Sequence, residues 1–348
     1  MAVLHAASRP QAAEKSSHSL PLASALFAGL LLAFWFVARH FRVEQSMGGH
    51  MPSAFVSFAL LLAPYWFFGF GAAEFLRERL TGSAVRVLVP GLLVVPYLIF
   101  SVPRGEFQWM YGAVLFAIPV GLAALFEFLP PRTPKITWQD VLALAVIGLS
   151  VEFHWLAASF PHPGLSALPK FQALSALPKF LLVDAALYAF LVVRGLEGVG
   201  YDFRARLRDL AIGLREWAFF APIAIGLGLV LAFIAFQHRI PGISTVLPNL
   251  MVTFFFVAVP EELFFRGLLQ NMLEARIGRM RGLVVAAGIF GLSHFNKMNA
   301  LSHFNWRYVL LAAIAGIFYG RAWRDRRRIL ASGITHTLVD VVWGLWFK

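Results

Sequence analysis

Read by its apolar and polar positions, the chain is a series of long hydrophobic runs joined by short polar connections. A helix crossing the hydrocarbon core needs roughly 20 apolar residues, and about eleven runs approach that length. They cover 20–41, 52–74, 85–102, 109–129, 139–158, 178–194, 217–237, 248–273, 282–295, 306–322 and 329–347. The ninth is short for a full crossing, which fits a tilted, longer or partly re-entrant segment. The pattern predicts an all-α polytopic membrane protein with a C-terminal helical core. Residues 201–214, YDFRARLRDLAIGL, alternate basic and apolar positions at helical spacing. They predict an amphipathic helix on the membrane surface just before the last five spans. The character of the chain changes there. Earlier spans carry few ionisable groups, and most polar chemistry lies beyond residue 248. This gives an N-terminal transmembrane region, 1–199, of unassigned role and a C-terminal region, 200–348, that carries the chemistry.

Composition agrees with a membrane assignment. Hydrophobic residues make up 59% of the chain and charged residues 14%, where soluble domains are about a quarter charged. With no cysteine, disulfides, thiolate nucleophiles and cysteine metal sites are excluded. The net charge of +12 does not form one basic stripe, so nucleic-acid binding is excluded as the reading of it. The basic residues alternate between loops instead. Arg77, Arg79 and Arg86, then Arg132 and Lys135, then Arg204, Arg206 and Arg208, then Arg276, Arg279 and Arg281, then Arg324 and Arg326 to Arg328 fall on the side of Arg9 and Lys15. The other side has only scattered charges such as Arg104, Lys170, Arg239 and Lys297. The positive-inside rule then places the N-terminus in the cytoplasm and the C-terminus outside. The run from Leu20 to Val37 is long and lacks an evident small-residue cleavage site, so it reads as an uncleaved first span. The expected location is the cell (inner) membrane, multi-pass, and the composition has a bacterial look.

Ionisable residues at membrane depth are costly and are functional candidates by default. The stretch VPEELFFRGLL, 259–269, holds two of the chain's 18 acidic residues. Glu262 and Arg266 are four apart and share a helix face, so they can form an ion pair. Glu261 points about 100° away and is less easily neutralised by that arginine. Pro260 before the pair predicts a bend or a freed carbonyl. Further on, FGLSH carries Phe290 and His294, and ITHTLVD carries His336 and Asp340 with the spacing of a hydrogen-bonded pair. The pentapeptide LSHFN occurs twice, at 292–296 and 301–305, so His303 competes with His294 for any role. A second duplication, over 165–180, carries no evident chemistry. Glu127, Glu152, His154 and Asp184 are scattered upstream with no spacing that ties them together.

Two hydrolytic chemistries fit an acid, a histidine and a His–Asp pair on three successive spans. In one, Glu261 is a general base, His294 positions water and His336 donates to an oxyanion. In the other, Glu261, His294, His336 and Asp340 are candidate ligands of a zinc ion that acidifies bound water. No HExxH, GxGD or GxSG motif is present. A different class remains open: a transporter or a catalytically silent scaffold whose polar groups line a path through the bilayer.

EELFFR reads as EExxxR, FGLSH as FxxxH and HTLVD as HxxxD. In that order they resemble the CPBP family of intramembrane proteases, which includes type II CAAX prenyl endopeptidases and bacteriocin-processing relatives. RLRDLAIGL and GIFYGRAW (316–323) are similar to the family's flanking pattern. The resemblance covers about residues 200–347. It implies a membrane-embedded endopeptidase acting on a membrane-associated peptide or protein, lipidated or not. By position it implies that Glu261 activates water and His294 assists. His336 and residue 340 would stabilise the oxyanion, with Glu262 and Arg266 in support. The third motif accepts Asn or Asp, and this chain has Asp340. An ionised aspartate accepts hydrogen bonds only, so Asp340 is expected to orient His336 or bind metal rather than donate.

Overall fold

The computed structural model describes residues 9–40, 42–161, 177–237, 240–297 and 304–347. Among them there are no strands beyond an isolated antiparallel bridge between Phe236 and Phe347. Seven helices among the described residues are long and apolar enough to cross a membrane: Leu20–His40, Gly48–Phe68, Ser83–Ser101, Trp109–Phe128, Leu207–Val230, Ile243–Ile277 and Ile329–Trp346. The other four predicted spans are helical too, but shorter or more charged. Trp138–Glu152 has 15 residues and Arg279–Leu292 has 14. Leu177–Leu187 continues into a wide turn, Tyr188–Val193. Trp306–Arg326 has 21 residues, but its last turns contain Arg321, Arg324, Asp325 and Arg326. Of the 165–180 duplication, residues 165–176 lie outside the described residues.

The chain divides into two compact units, Met1–Pro131 with Leu149–Gly195, and Arg132–Gly148 with Leu196–Lys348. The first contains α1 (Arg9–His40), α2 (Met51–Phe68), α3 (Ala72–Arg79), α4 (Ser83–Ser101) and α5 (Trp109–Phe128). After α6 (Trp138–Glu152), which runs across the division, it is completed by α7 (Leu177–Leu187). Aromatic side chains dominate its interior. Tyr65 meets Phe180 edge to face at 5.1 Å, and the Trp66 indole donates to the Ala23 carbonyl at 2.9 Å. Glu127 is ion-paired with Arg86 at 3.3 Å, and the Tyr188 hydroxyl donates to the Arg86 carbonyl. That acid is therefore tied into packing within this unit.

The second unit is built on α8 (Leu207–Val230), α9 (Ile243–Ile277), α10 (Arg279–Leu292), α11 (Trp306–Arg326) and α12 (Ile329–Trp346). Small residues let these helices approach closely, as membrane helix packing requires. A Cβ on Gly291 of α10 would lie 2.6 Å from the Val309 carbonyl oxygen of α11. Gly316 of α11 likewise faces Ala287, and Gly320 faces Leu283 and Gln270.

The expected surface helix over 201–214 and the span from 217 are one continuous helix, α8. Residues 201–206 are non-helical, and the helix starts where the Asp209 carboxylate accepts from the Arg206 backbone N–H at 3.1 Å. Its first turns pack on α12 instead of lying apart. Gly213 leaves no room for a Cβ beside Ile334, and the Thr335 hydroxyl donates to the Gly213 carbonyl at 3.1 Å.

Asp202 and Arg328 fasten the entry to this unit. Gly200 sits at φ +75, and a Cβ there would lie 1.9 Å from the Arg327 carbonyl oxygen, so only glycine fits. Arg328 donates to Asp202 and Asp209, both at 2.7 Å, and to the Arg204 carbonyl. Burial pushes the Asp202 carboxyl up, but hydrogen bonds from Arg204 and Arg328 outweigh it and hold it below its ordinary value. Such a group contributes stability above the unfolded pKa of about 3.9, and that contribution is lost as pH falls through the lower folded value. Asp202→Asn is therefore expected to lower the thermal midpoint at pH 6, with the gap to wild type closing below about pH 4. A gap that stays constant through thermal melts down to pH 3 would contradict it.

Candidate active site

The site is carried by α9, α10, α11 and α12. Along α9 the regular helical turn is widened twice, over Phe254–Ala258 and Leu263–Gln270, with the four residues Val259–Glu262 between them in ordinary α geometry. Pro260 supplies no backbone N–H and disfavours the regular pattern around it. Wide turns of this kind are insertions that recur at functional sites. The bend expected from the proline thus takes the form of two wide turns bracketing the glutamates.

Glu262 and Arg266 are both buried, with side chains 0% and 1% exposed, and Arg266 Nε stands 3.1 Å from Glu262 Oε2. The N–H is not aligned on the oxygen, so this is an ion pair without a hydrogen bond. The guanidinium also donates to the Gly316 carbonyl at 3.3 Å and lies over the rings of Phe290 and Tyr319, at 4.5 Å and 5.3 Å. Cation–π contact offsets part of its desolvation. The other Glu262 oxygen stands 2.9 Å from His336 Nδ1. An ionised carboxylate only accepts, so Nδ1 carries a proton. Glu262 is therefore held from both sides, and it fixes the His336 ring.

Glu261 lies elsewhere. Its side chain is 36% exposed, and its Oε2 is 3.9 Å from His336 Nε2. Asp340, 32% exposed, has Oδ2 at 3.4 Å from the same nitrogen. The Tyr319 ring stacks on the imidazole at 4.5 Å and 17°. His336 thus turns one nitrogen to the buried glutamate and the other to the two accessible carboxylates. Carboxylates flank both edges and hold the ring as an imidazolium with a proton on each nitrogen; the HxxxD spacing alone suggested only Asp340.

His294 Nδ1 is 2.9 Å from the Phe290 carbonyl oxygen. A carbonyl accepts, so this nitrogen is the donor and Nε2 of the neutral ring keeps its lone pair. Phe290 is the hub of the cluster. Its ring meets Phe265, His294, Tyr319 and His336 edge to face, at 5.0, 5.0, 5.8 and 5.8 Å. The FxxxH motif therefore joins a packing hub to a histidine one turn on. His303 lies outside the described residues.

Glu261, Glu262, Arg266, Phe290, His294, His336 and Asp340 are linked through these contacts. Two tyrosines join them without having been singled out. Tyr319 lies within the flanking GIFYGRAW segment and lines Arg266 and His336. Tyr308 meets His294 at 4.8 Å and Trp343 at 5.2 Å. Their only sequence signal is a polar aromatic inside an apolar helix, which many interfacial tyrosines share. Chemically the cluster offers an accessible carboxylate, a histidine lone pair and an imidazole N–H, which are the parts of a water-activating site. Among the described residues no three His, Asp or Glu side chains are grouped so as to hold a metal ion.

Residues 243–342 match the family described as type II CAAX prenyl endopeptidase Rce1-like. No curated protein and no solved structure matches the chain.

Proposed function

Residues 243–342 are an Rce1-like domain of the CPBP family of intramembrane proteases, and from that premise we propose that this multi-pass membrane protein hydrolyses a peptide bond with Glu261 as general base. The observation that carries the assignment is the division between two adjacent glutamates. Glu262 is buried between Arg266 and His336, whereas Glu261 is accessible and stands beside His336 Nε2. In the proposed reaction Glu261 takes a proton from water, which His294 Nε2 helps to hold. The water oxygen attacks the scissile carbonyl carbon, and the His336 Nε2–H donates to the resulting oxyanion. As the C–N bond breaks, Glu261 passes the proton to the leaving nitrogen. Glu262 and Arg266 keep His336 in register throughout.

The substrate class is a membrane-associated protein or peptide, either ending in a prenylated cysteine motif or undergoing peptide maturation. The proposed setting is the cell (inner) membrane with the N-terminus in the cytoplasm. The Arg324 side chain donates to the Arg279 carbonyl, which brings two of the basic connections to one end of the unit and supports that orientation.

The test uses the full chain in lipid nanodiscs with a proteome-derived peptide library and one synthetic peptide, offered with and without a prenylated cysteine near its C-terminus. New termini are read by mass spectrometry, with and without a chelator. Cleavage by wild type that disappears in Glu261→Gln and survives the chelator is expected. No cleavage of any peptide, or cleavage that persists in Glu261→Gln, overturns the assignment; chelator-sensitive cleavage overturns the metal-free mechanism.

A further inference from the structure

An oxyanion at this site needs two donors, and the residue at the third motif's last position cannot be one of them. Asp340 is a third of the way into solvent, 3.4 Å from His336 Nε2, and as a carboxylate it only accepts. Ser293, next to His294, is occupied, because its hydroxyl donates to the Phe290 carbonyl at 2.8 Å. Thr337 follows His336, but its hydroxyl is buried about 100° around the helix from that imidazole.

Two tyrosines lie beside the candidate residues: Tyr319 is stacked flat on His336 with Arg266 over its ring, and Tyr308 stands between α10 and α12. Tyr308 opens the first turn of α11, where its backbone N–H is capped by the Asn305 side chain at 3.3 Å. Its ring is held perpendicular to His294 of α10 at 4.8 Å, against Trp343 of α12 at 5.2 Å, and stacked on Phe233 at 5.7 Å. The acidic groups whose charge reaches it are Asp340 of α12 and Glu261 of α9. A phenol pinned by three rings is already oriented before a substrate arrives, which is what makes such donors effective.

Resting on the glutamate mechanism proposed above, we propose that Tyr308 is a catalytic residue, the second hydrogen-bond donor to the oxyanion. It takes the place that Asp340 cannot fill. When the scissile carbonyl enters, the O–H turns to the carbonyl oxygen, and the bond strengthens as that oxygen gains charge. Tyr308 keeps its proton throughout. The proton taken from water travels by way of Glu261 to the leaving nitrogen, so the balance of the hydrolysis is unchanged. Asp340 then serves to position the His336 imidazole and the Tyr308 phenol.

Tyr308→Phe removes the donor and keeps the ring. With the prenylated and unprenylated synthetic peptides, kcat is expected to fall about 10²- to 10³-fold, the effect of deleting one oxyanion donor. KM and the thermal midpoint are expected to stay near wild type. The Ki of a phosphinic analogue of the same peptide, which mimics the tetrahedral oxyanion, should rise in proportion to the loss in kcat/KM. Full kcat in Tyr308→Phe, or a loss confined to KM, overturns the assignment of Tyr308 while leaving Glu261 intact. Activity retained by Glu261→Gln in the same assay, or no cleavage by wild type, overturns the underlying mechanism instead. Should Tyr308→Phe melt early, 3,5-difluorotyrosine at this position keeps ring and donor. A rate and Ki indifferent to its greater acidity would equally sink the proposal.

Discussion

Glu261→Gln is expected to lower kcat by about 10²- to 10⁴-fold, the range supplied by a positioned general base, with little change in stability. Glutamine matches glutamate in shape and still accepts hydrogen bonds, but it does not take a proton at neutral pH. Its effect on folding should be small because the Glu261 side chain is 36% exposed and its nearest charged neighbour, His336 Nε2, is 3.9 Å away. That nitrogen keeps Asp340 at 3.4 Å. The check is kcat by peptide cleavage beside a thermal melt of the same preparation. A Glu261→Gln protein that melts well below wild type would mean that Glu261 is structural, and the division between the glutamates would be lost.

Arg266→Ala is the counterpart, with the largest expected effect on stability. It leaves Glu262 ionised at 0% exposure with its cationic partner gone. It also empties the space between the Phe290 and Tyr319 rings. Removing one member of a buried pair costs about 3–5 kcal/mol, measured by denaturant unfolding in mixed micelles. Glu262→Gln combined with Arg266→Met should recover most of that loss, because an apolar side chain over the two rings beside a neutral amide leaves no charge to solvate. The glutamine can still accept from His336 Nδ1. An Arg266→Ala protein within about 1 kcal/mol of wild type would show that water reaches the pair, contrary to its burial.

How far the sequence carried these features depended on whether they were local. The four-residue spacing of Glu262 and Arg266 put them on one face, and they stand as an ion pair. The apolar runs gave the helical membrane class, because hydrocarbon thickness sets a length that composition alone reveals. Contacts between helices were beyond that reasoning. Nothing in HxxxD says that the buried partner of His336 comes from α9, 74 residues away in sequence. Tyr308 and Tyr319 acquire meaning only once α11 lies against α10 and α12. The amphipathic segment misled for a related reason. Periodicity reports which face is polar, but Gly213, which brings the start of α8 onto α12, reads in one dimension as an unremarkable glycine.

The wide turns of α9 have a consequence for how this protein tolerates change. Each turn holds a surplus residue relative to an ordinary helix, so the angle between the glutamates and the chain beyond Gln270 is set by a count of residues rather than by their identities. Conservative exchanges among Leu263, Phe264 and Leu268 leave that count alone. Losing one residue there would let the helix relax to regular geometry and swing one half against the other by about 100°. Glu261 would then face away from His336 with every side chain of the site still encoded. For this helix, length is the heritable constraint, and a single-codon deletion is a graver lesion than most substitutions.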